Sequence, residues 1–172
     1  MADVIKSVMY VLRQEDAHMC GVVTNDSRDI GGRTRWGIAE HFHPEQTLTG
    51  FFSTMNNADS LAVAQSIYTE DYADPLHIVG IVDQQVANAM LSFAINEGVK
   101  TSIKLLQAAL QLTADGVIGP ATLAAVNSTS NILSLLSIKQ AAHYNAIVAA
   151  NPIDERFIKG WINRVNQDCE TT

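Results

Sequence analysis

Residues 11–38 read VLRQEDAHMCGVVTNDSRDIGGRTRWGI, and this stretch decides the fold of the chain around it. An apolar pattern of helical period ends at Glu15, and a polar segment then leads to the block DIGGRTRWGI at 29–38. The apolar residues that precede Glu15 share one helical face at positions i, i+4, i+7 and i+8, namely Val4, Val8, Val11 and Leu12. This spacing predicts a helix that packs its apolar face on a core and ends close to Glu15.

Glu15 continues the apolar row one turn beyond Val11 and Leu12. A carboxyl group there faces apolar neighbours and the negative end of the helix dipole, and both disfavour its charged form. A carboxyl group that keeps its proton at neutral pH is suited to general acid catalysis. The alternative is a solvated carboxylate at a helix end beside Asp16 and Arg13, which is the commoner role of an isolated glutamate.

A glycine pair at 31–32 favours a tight turn with a positive φ angle. The flanking segments 20–24 and 33–36 are predicted to form the strands of a β-hairpin. Such a hairpin brings Asp29 and Thr34 next to the end of the first helix. A carboxylic acid, a second carboxylate and a hydroxyl that holds water are the equipment for hydrolysing a glycosidic bond. The structural alternative is a common Asp-Gly-Gly turn with an Asx-type cap.

Five separate blocks of the sequence follow one pattern. The first two are VLRQE at 11–15 and NDSRDIGGRTRWGI at 25–38, against VL-x-x-E-G-G-Y and N-D-P-x-D-x-G-G-x-T-x-x-G-I. The others lie at 58–75, at 93–98 (FAINEG, against F-A-V-N-x-G) and at 157–165 (FIKGWINRV, against F-x-x-G-W-x-x-R-V). Together they resemble glycoside hydrolase family 108, the lysozyme-like muramidases of phages and bacteria. The resemblance implies a mainly α, lysozyme-like helical domain with a small β-hairpin near the active site.

The family's E-G-G-Y is replaced here by EDAH at 15–18. Counted back from the glycine pair without gaps, the family's glutamate falls on Cys20, and the chain then lacks its acid and is inactive. With a five-residue insertion the glutamate falls on Glu15. We favour Glu15 because the preceding VLR stays in register and a carboxylic acid is retained.

A second resemblance covers about residues 101–127, which include the run LLQAALQLTADGVIGPATLAAVN. This run is similar to small helical peptidoglycan-binding modules that share an L-Q…DG-x-x-G-x-x-T pattern. In family 108 such a segment belongs to the catalytic domain, so residues 1–172 are predicted to form a single muramidase domain. The sequence leaves open whether the segment binds the cell wall or only packs within the domain.

The resemblance implies an N-acetylmuramidase that hydrolyses the β-1,4 bond between N-acetylmuramic acid and N-acetylglucosamine. Glu15 is then the general acid, Asp29 stabilises the developing positive charge or activates water, and Thr34 positions that water. A threonine that holds water favours inversion, which needs the two carboxyl groups roughly 6.5–9.5 Å apart. Asp26 is the reserve for Asp29 and a candidate substrate contact. No cofactor is required.

Two further residues are candidate substrate contacts. Asn96, in the FAINEG block, is predicted either to hydrogen-bond a sugar N-acetyl group or simply to end a helix. Arg33 belongs to a cluster with Arg28 and Arg35 that either binds saccharide or peptide carboxylates or lies solvated in a turn. No His or Cys cluster has the spacing of a zinc site, so no metal is expected.

Composition restricts the partners of the chain. It has 172 residues, 47% of them hydrophobic and 17% charged, which is typical of a globular protein of about one domain. A net charge of −7 argues against nucleic acid and makes long-range steering towards an anionic cell wall unfavourable. Peptidoglycan is the partner that the resemblance implies, and the protein is expected to be a monomer. No run approaches about 18 consecutive apolar residues, so no stable membrane insertion is expected. Cys20 and Cys169 are either free thiols or form one disulfide between the C-terminal tail and the site loop.

The N-terminal segment 1–14 is typical of an amphipathic helix rather than of a secretory signal. We therefore expect synthesis in the bacterial cytoplasm and release to the periplasm and cell wall, by a holin as for a phage endolysin or by a dedicated secretion machine. Two other classes of function compete with the enzyme. The altered E-G-G-Y motif favours a catalytically inactive peptidoglycan-binding module. The other is a helical adaptor of a secretion system or phage particle.

Overall fold

The first helix, α1, spans Val4–Glu15 and ends where the apolar pattern predicts. The computed structural model describes residues 1–25 and 31–170 of the chain. Asp3 caps α1, because its side chain accepts a hydrogen bond from the backbone N–H of Lys6. The buried face of the helix consists of Ser7, Val8, Val11 and Leu12. The predicted apolar row is therefore the surface through which α1 joins the core.

The prediction of a mainly α fold is confirmed, since eight α-helices lie in the described part of the chain. A π-helical turn at Thr69–Ala73 follows the third helix, and 3₁₀ turns lie at Ile78–Gly80 and Pro152–Asp154. The helices after α1 are α2 (Glu45–Leu48), α3 (Asn57–Tyr68), α4 (Gln84–Glu97), α5 (Val99–Ala109), α6 (Pro120–Ser128), α7 (Ile132–Ala150) and α8 (Glu155–Glu170).

Helix α4 lies at the centre of the molecule. Its residues 86–94 are all buried, and the helix contacts α1, α5, α7 and α8. A helix that is buried on every side belongs in the core rather than on the surface. One continuous apolar cluster runs from Ala2 to Leu136 and includes Ile103 and Leu106 of α5. The segment 101–127 thus shares its core with the N-terminal half of the chain.

A three-stranded antiparallel sheet, rather than a two-stranded hairpin, follows α1. Its strands are β1 (Thr24–Asn25), β2 (Arg33–Arg35) and β3 (Ile38–Ala39), in the order β1-β2-β3. The third strand was not predicted. It is joined to β2 by the two-residue turn Trp36–Gly37, in which both residues have positive φ angles, 55° and 77°. A type I′ hairpin turn requires these two positive φ angles. Tryptophan is not among the residues typical of that turn, so the sequence did not predict it.

The first strand is shorter than predicted, because residues 16–21 are held in a loop by a side chain. The Asp16 carboxylate accepts hydrogen bonds from the backbone N–H groups of His18, Cys20 and Gly21, at 3.2, 2.9 and 2.6 Å. Once Asp16 holds these N–H groups, the segment does not pair as a strand. Of the predicted strand at 20–24 only Thr24 lies in β1, so the prediction is wrong for residues 20–23.

The C-terminal end of α8 is fixed by a contact with α1. The helix continues to Glu170. Asp168 is only 2% exposed and accepts a hydrogen bond of 2.6 Å from the Tyr10 hydroxyl. This buried contact with α1 holds the last turns of α8 in place.

Cys20 and Cys169 are both free thiols, so the disulfide alternative is not realised in this structure. Within residues 1–25 and 31–170, no single helix is long and apolar enough to cross a membrane. Helices α6 and α7 meet the length and composition criteria only as a pair, and that pair is bent by 112°.

Candidate active site

Two clefts meet at Gly37, which lines both of them. The first, the hairpin cleft, has a volume of about 400 Å³ and is lined among others by Glu15, Asp16, Cys20, Thr24 and Thr34. The second, the aromatic cleft, has a volume of about 330 Å³ and is lined among others by Phe42, His43, Tyr68, Tyr72 and Ile95. Gly37 is therefore the point at which the two clefts adjoin.

Glu15 stands at the junction of the two clefts, where α1 ends. It lines the hairpin cleft, and its Cβ and Cγ atoms pack against Gly37. Its carboxylate accepts a hydrogen bond of 2.9 Å from Nη2 of Arg164 on α8, and the Glu15 side chain is 21% exposed. The sequence predicted the apolar row beneath Glu15 but not this cation. The surroundings of the Glu15 carboxylate are therefore not purely apolar, contrary to what the apolar row predicted.

Thr34 lies in the same cleft as Glu15. It occupies the middle of β2, with Thr24 opposite on β1 and Ala39 opposite on β3. The structure therefore brings together two of the three predicted catalytic side chains. The third, Asp29, and its reserve Asp26 both lie outside the described residues.

Two tyrosines line the aromatic cleft close to Glu15. The Tyr68 hydroxyl donates a 2.9 Å hydrogen bond to the carbonyl of Trp36, and the residue is buried. Burial raises the pKa of Tyr68, and the charge of Glu15 raises it further. Burial likewise raises the pKa of Tyr72, with additional contributions from Asp71 and Glu15. Both phenols therefore stay protonated at neutral pH and serve as neutral polar groups.

Arg33, a predicted substrate contact, is engaged within the protein. Its Nε and Nη2 atoms bond the two carboxylate oxygens of Glu40 at 2.8 and 2.5 Å, and Nη1 donates to the Phe52 carbonyl at 3.1 Å. Hydrogen bonds from Arg33 and then from Thr47 lower the pKa of Glu40 to about 2. Arg33 thus ties the sheet to the loop that follows it, and its contact with substrate stays a prediction.

Arg35 is neither solvated nor free to bind a ligand carboxylate. It is 6% exposed, and its guanidinium donates to the carbonyls of Gly21, Phe51 and Met55 at 2.7, 2.8 and 2.9 Å. Both readings of this arginine, as a binding group or as a solvated turn residue, are wrong. The reason is that three backbone carbonyls converge on it inside the fold. Arg28, the third member of the predicted cluster, lies outside the described residues.

Asn96 lies in the last turn of α4 with an exposed side chain. Its Nδ2 atom makes a 3.4 Å hydrogen bond to the Ser92 carbonyl, and its neighbour Ile95 lines the aromatic cleft. This geometry leaves the role of Asn96 in sugar recognition as a prediction. In the part of the chain that the structure describes, no group of three or more His, Cys, Asp or Glu residues is placed to hold a metal ion.

The loop at 16–20 bears on which position, Glu15 or Cys20, corresponds to the family's glutamate. In the favoured register the five-residue insertion lies between Glu15 and the glycine pair at 31–32. Residues of the loop at 16–20 line the hairpin cleft, and Cys20 is exposed. Glu15 and Cys20, the two candidate positions for the family's glutamate, line the same cleft. Glu15 is the one that brings a carboxylic acid to it.

Comparison with known proteins agrees with this architecture. A family model described as glycosyl hydrolase 108 matches residues 10–98, just over half of the chain, and one described as a predicted peptidoglycan domain matches residues 101–166. The solved structure of Brucella abortus SagA superposes with a TM-score of 0.71 at 26% sequence identity, covering 96% of this chain and 91% of that one. No curated protein matches the chain.

The fold and the matches define a helical protein of the lysozyme-like glycoside hydrolase class, with peptidoglycan as its partner. The chain belongs to glycosyl hydrolase family 108. The peptidoglycan segment is longer than the 101–127 predicted from its motif, because the match continues through α7 and into α8 as far as residue 166. Arg164, which contacts Glu15, falls within it.

Proposed function

We propose that this protein is an N-acetylmuramidase that hydrolyses the β-1,4 bond between N-acetylmuramic acid and N-acetylglucosamine, with Glu15 as the general acid. The observation that carries the proposal is the position of Glu15 at Gly37, where the two clefts meet, with Thr34 in the same cleft. A glycan that runs through both clefts passes the Glu15 carboxyl group with sugar rings on each side of it.

In the proposed mechanism Glu15 protonates the glycosidic oxygen as the bond to the anomeric carbon breaks. Positive charge then develops on that sugar ring, and Asp29 stabilises it or removes a proton from the attacking water. The Thr34 hydroxyl holds the water for attack on the opposite face of the ring, which inverts the anomeric centre. Inversion requires carboxyl groups roughly 6.5–9.5 Å apart, and a separation near 5 Å would instead indicate retention.

The rest of the proposal concerns binding and place of action. Asp26, Arg33 and Asn96 are proposed to contact the glycan, and residues 1–172 are proposed to act as one domain and as a monomer. The match to a predicted peptidoglycan domain supports action at the cell wall. Delivery by a holin or by a secretion machine is proposed for reaching it.

The test measures release of reducing ends from purified peptidoglycan sacculi, together with turbidity of outer-membrane-permeabilised Gram-negative cells. General acid catalysis contributes about 10²–10⁴-fold, so Glu15→Gln is expected to lower kcat by that factor. Cys20→Ser is the matched control in the same cleft and is expected to retain activity. Equal activity of Glu15→Gln and wild type would remove Glu15 from the mechanism.

The second carboxylate is assigned by a matched pair of variants. We expect Asp29→Asn to lose far more activity than Asp26→Asn, because only Asp29 is proposed to act at the anomeric centre. Proton NMR of the first product distinguishes the stereochemical outcomes, and the α-anomer as the initial product supports inversion. The β-anomer as the initial product contradicts the role proposed for Thr34.

A second candidate is a peptidoglycan-binding protein without hydrolytic activity. The ion pair of Glu15 with Arg164 favours it, because the carboxylate proposed as the acid is already engaged by a cation within the protein. Binding of the wild-type protein to sacculi in a pull-down assay, with no release of reducing ends between pH 4 and 8, would establish this candidate over the enzyme.

A further inference from the structure

Helix α8 reaches across the molecule to the proposed catalytic acid. Nη2 of Arg164 lies 2.9 Å from Oε1 of Glu15, although 149 residues separate them in the chain. Both side chains are partly buried, at 24% and 21% exposure. A partly buried ion pair of this kind restricts the Glu15 carboxylate to few orientations. A solvated glutamate at a helix end would not be restricted in this way.

A second contact fixes α8 on α1 one turn further along. Asp168 accepts hydrogen bonds from the Tyr10 hydroxyl at 2.6 Å and from Nε2 of Gln14 at 3.0 Å. Oε1 of Gln14 in turn accepts a 3.0 Å hydrogen bond from Ser92 of α4. Arg164 and Asp168 are four residues apart, so they lie on the same face of α8. The final turns of α1, and Glu15 with them, are therefore held from α8 at two points.

The hydrogen bonding of Arg164 is incomplete. Its Nη1 atom is buried and has no hydrogen-bond partner among residues 1–25 and 31–170. A buried donor without a partner opposes folding. The arginine thus stabilises the fold less than its contact with Glu15 alone would suggest, and a role in orienting Glu15 accounts for its presence there better than stability does.

We propose that Arg164 is a positioning residue for the glycosidase reaction. It holds the Glu15 carboxyl group at the junction of the clefts, where the glycosidic oxygen of the substrate must lie. The segment that matches the predicted peptidoglycan domain thereby completes the hydrolase site. This inference rests on the proposed function, since Arg164 acts only through Glu15.

The experiment compares Arg164→Gln and Arg164→Lys with the wild type in reducing-end release from soluble glycan oligomers. Arg164→Gln is expected to lower kcat at least tenfold and to change KM less than twofold, because Arg164 orients the acid and does not bind the sugar. Arg164→Lys keeps the charge and is expected to recover part of kcat. Lys159→Gln removes an exposed charge from the same helix and is the matched control.

Two measurements separate positioning from a purely structural role. The double variant Glu15→Gln/Arg164→Gln is expected to have the kcat of Glu15→Gln alone, because Arg164 has no effect once its partner is neutral. Circular dichroism and urea unfolding report the folded fraction of each variant, and kcat is calculated per folded molecule.

The outcomes that overturn the proposal are distinct from failure of the proposed function. Wild-type kcat in folded Arg164→Gln, or a loss in the double variant that multiplies the two single losses, overturns the positioning role while the hydrolase stands. A wild-type protein that releases no reducing ends overturns the muramidase and, with it, any positioning of its acid.

Discussion

Gly37 and Glu15 are in direct contact, and the contact leaves no room for a side chain at position 37. A Cβ atom at Gly37 would lie 2.8 Å from Cγ of Glu15 and 2.6 Å from the hydroxyl oxygen of Tyr68. The φ angle of Gly37 is +77°, a value that residues with a Cβ rarely adopt. A side chain at position 37 would therefore disturb both the turn between β2 and β3 and the position of the Glu15 side chain.

We expect Gly37→Ala to destabilise the protein by about 1–3 kcal/mol through backbone strain and to abolish hydrolysis by displacing Glu15. Gly98→Ala is the matched control, since Gly98 has a φ angle of +85° with no atom within 4 Å of its added Cβ. The control is expected to lose similar stability yet keep kcat per folded molecule. Urea unfolding and reducing-end assays measure the two effects, and an active Gly37→Ala protein would contradict the predicted contact.

The neighbouring arginines of β2 are expected to differ sharply in their contribution to stability. Replacing Arg35 by Met leaves the carbonyls of Gly21, Phe51 and Met55 without their donor inside the fold. An unsatisfied buried group costs about 1–3 kcal/mol, so the free energy of unfolding should fall by about 3 kcal/mol or more.

Arg33→Met is the comparison, because its partner Glu40 is in contact with solvent. A partly exposed ion pair contributes little to stability, and Arg33 donates to one backbone carbonyl rather than three, so Arg33→Met is expected to lose much less stability than Arg35→Met. Chemical denaturation of both variants at pH 7 measures the difference. Equal losses would show that the three carbonyls are satisfied in another way.

Asp168 predicts a pH dependence of stability. Burial raises the pKa of its carboxyl group above the ordinary value of 3.8, against the opposing effect of hydrogen bonds from Tyr10, Ser92 and Gln14. The folded state therefore binds the proton more tightly than the unfolded state. The protonated Asp168 carboxyl group therefore contributes to the free energy of unfolding. This contribution is fully present below pH 3.8 and is lost as the pH rises through the raised pKa of Asp168.

The measurement is the free energy of unfolding of the wild type and Asp168→Asn from pH 3 to pH 7. We expect stability of the wild type relative to the variant to fall over this range, since the amide that replaces the carboxyl group has no proton to lose. Asp74→Asn removes an exposed carboxylate and is expected to leave the pH profile of the wild type unchanged. A wild-type advantage that grows with pH would reverse the sign and contradict the effect of burial.

Cys20 provides a chemical test of the hairpin cleft. The thiol is exposed and lines the cleft beside Glu15, whereas Cys169 is partly buried and its pKa is raised, chiefly by burial. Thiolate is the reactive form, so N-ethylmaleimide is expected to modify Cys20 well before Cys169. In a Cys169→Ser background the modification should block hydrolysis, and glycan oligomers should slow it. Complete modification with full activity would place the substrate elsewhere.

Much of the fold could be predicted from local sequence patterns. The ends of α4 and α6 follow from the capping residue Asp83, from Gly98 and from Pro120, because capping depends on residues a few positions apart. The apolar row of α1 likewise placed Glu15 at its helix end. The glycine pair and the following strand placed Thr34 in the sheet, and the structure finds both side chains in one cleft.

Other features carried no local signal. The turn Trp36–Gly37 depends on the burial of the tryptophan, whose indole N–H donates to Ser60 at 3.0 Å. Arg35 looked like an exposed turn residue, because its three carbonyl partners come from separate parts of the chain. Asp16 looked like an ordinary acidic residue after a helix, yet it organises the loop on the rim of the cleft.

The sequence by itself determined the helical class, the family resemblance and the position of the acid on α1, because hydrophobic period and short motifs are properties of neighbouring residues. Only the tertiary structure decided what surrounds that acid. Arg164 and Asp168 lie 149 and 158 residues from their partners Glu15 and Tyr10, and the packing of α8 against α4 and α7 sets these contacts. Side chains so far apart in the chain meet only after the core has formed, so no local pattern of residues encodes their pairing.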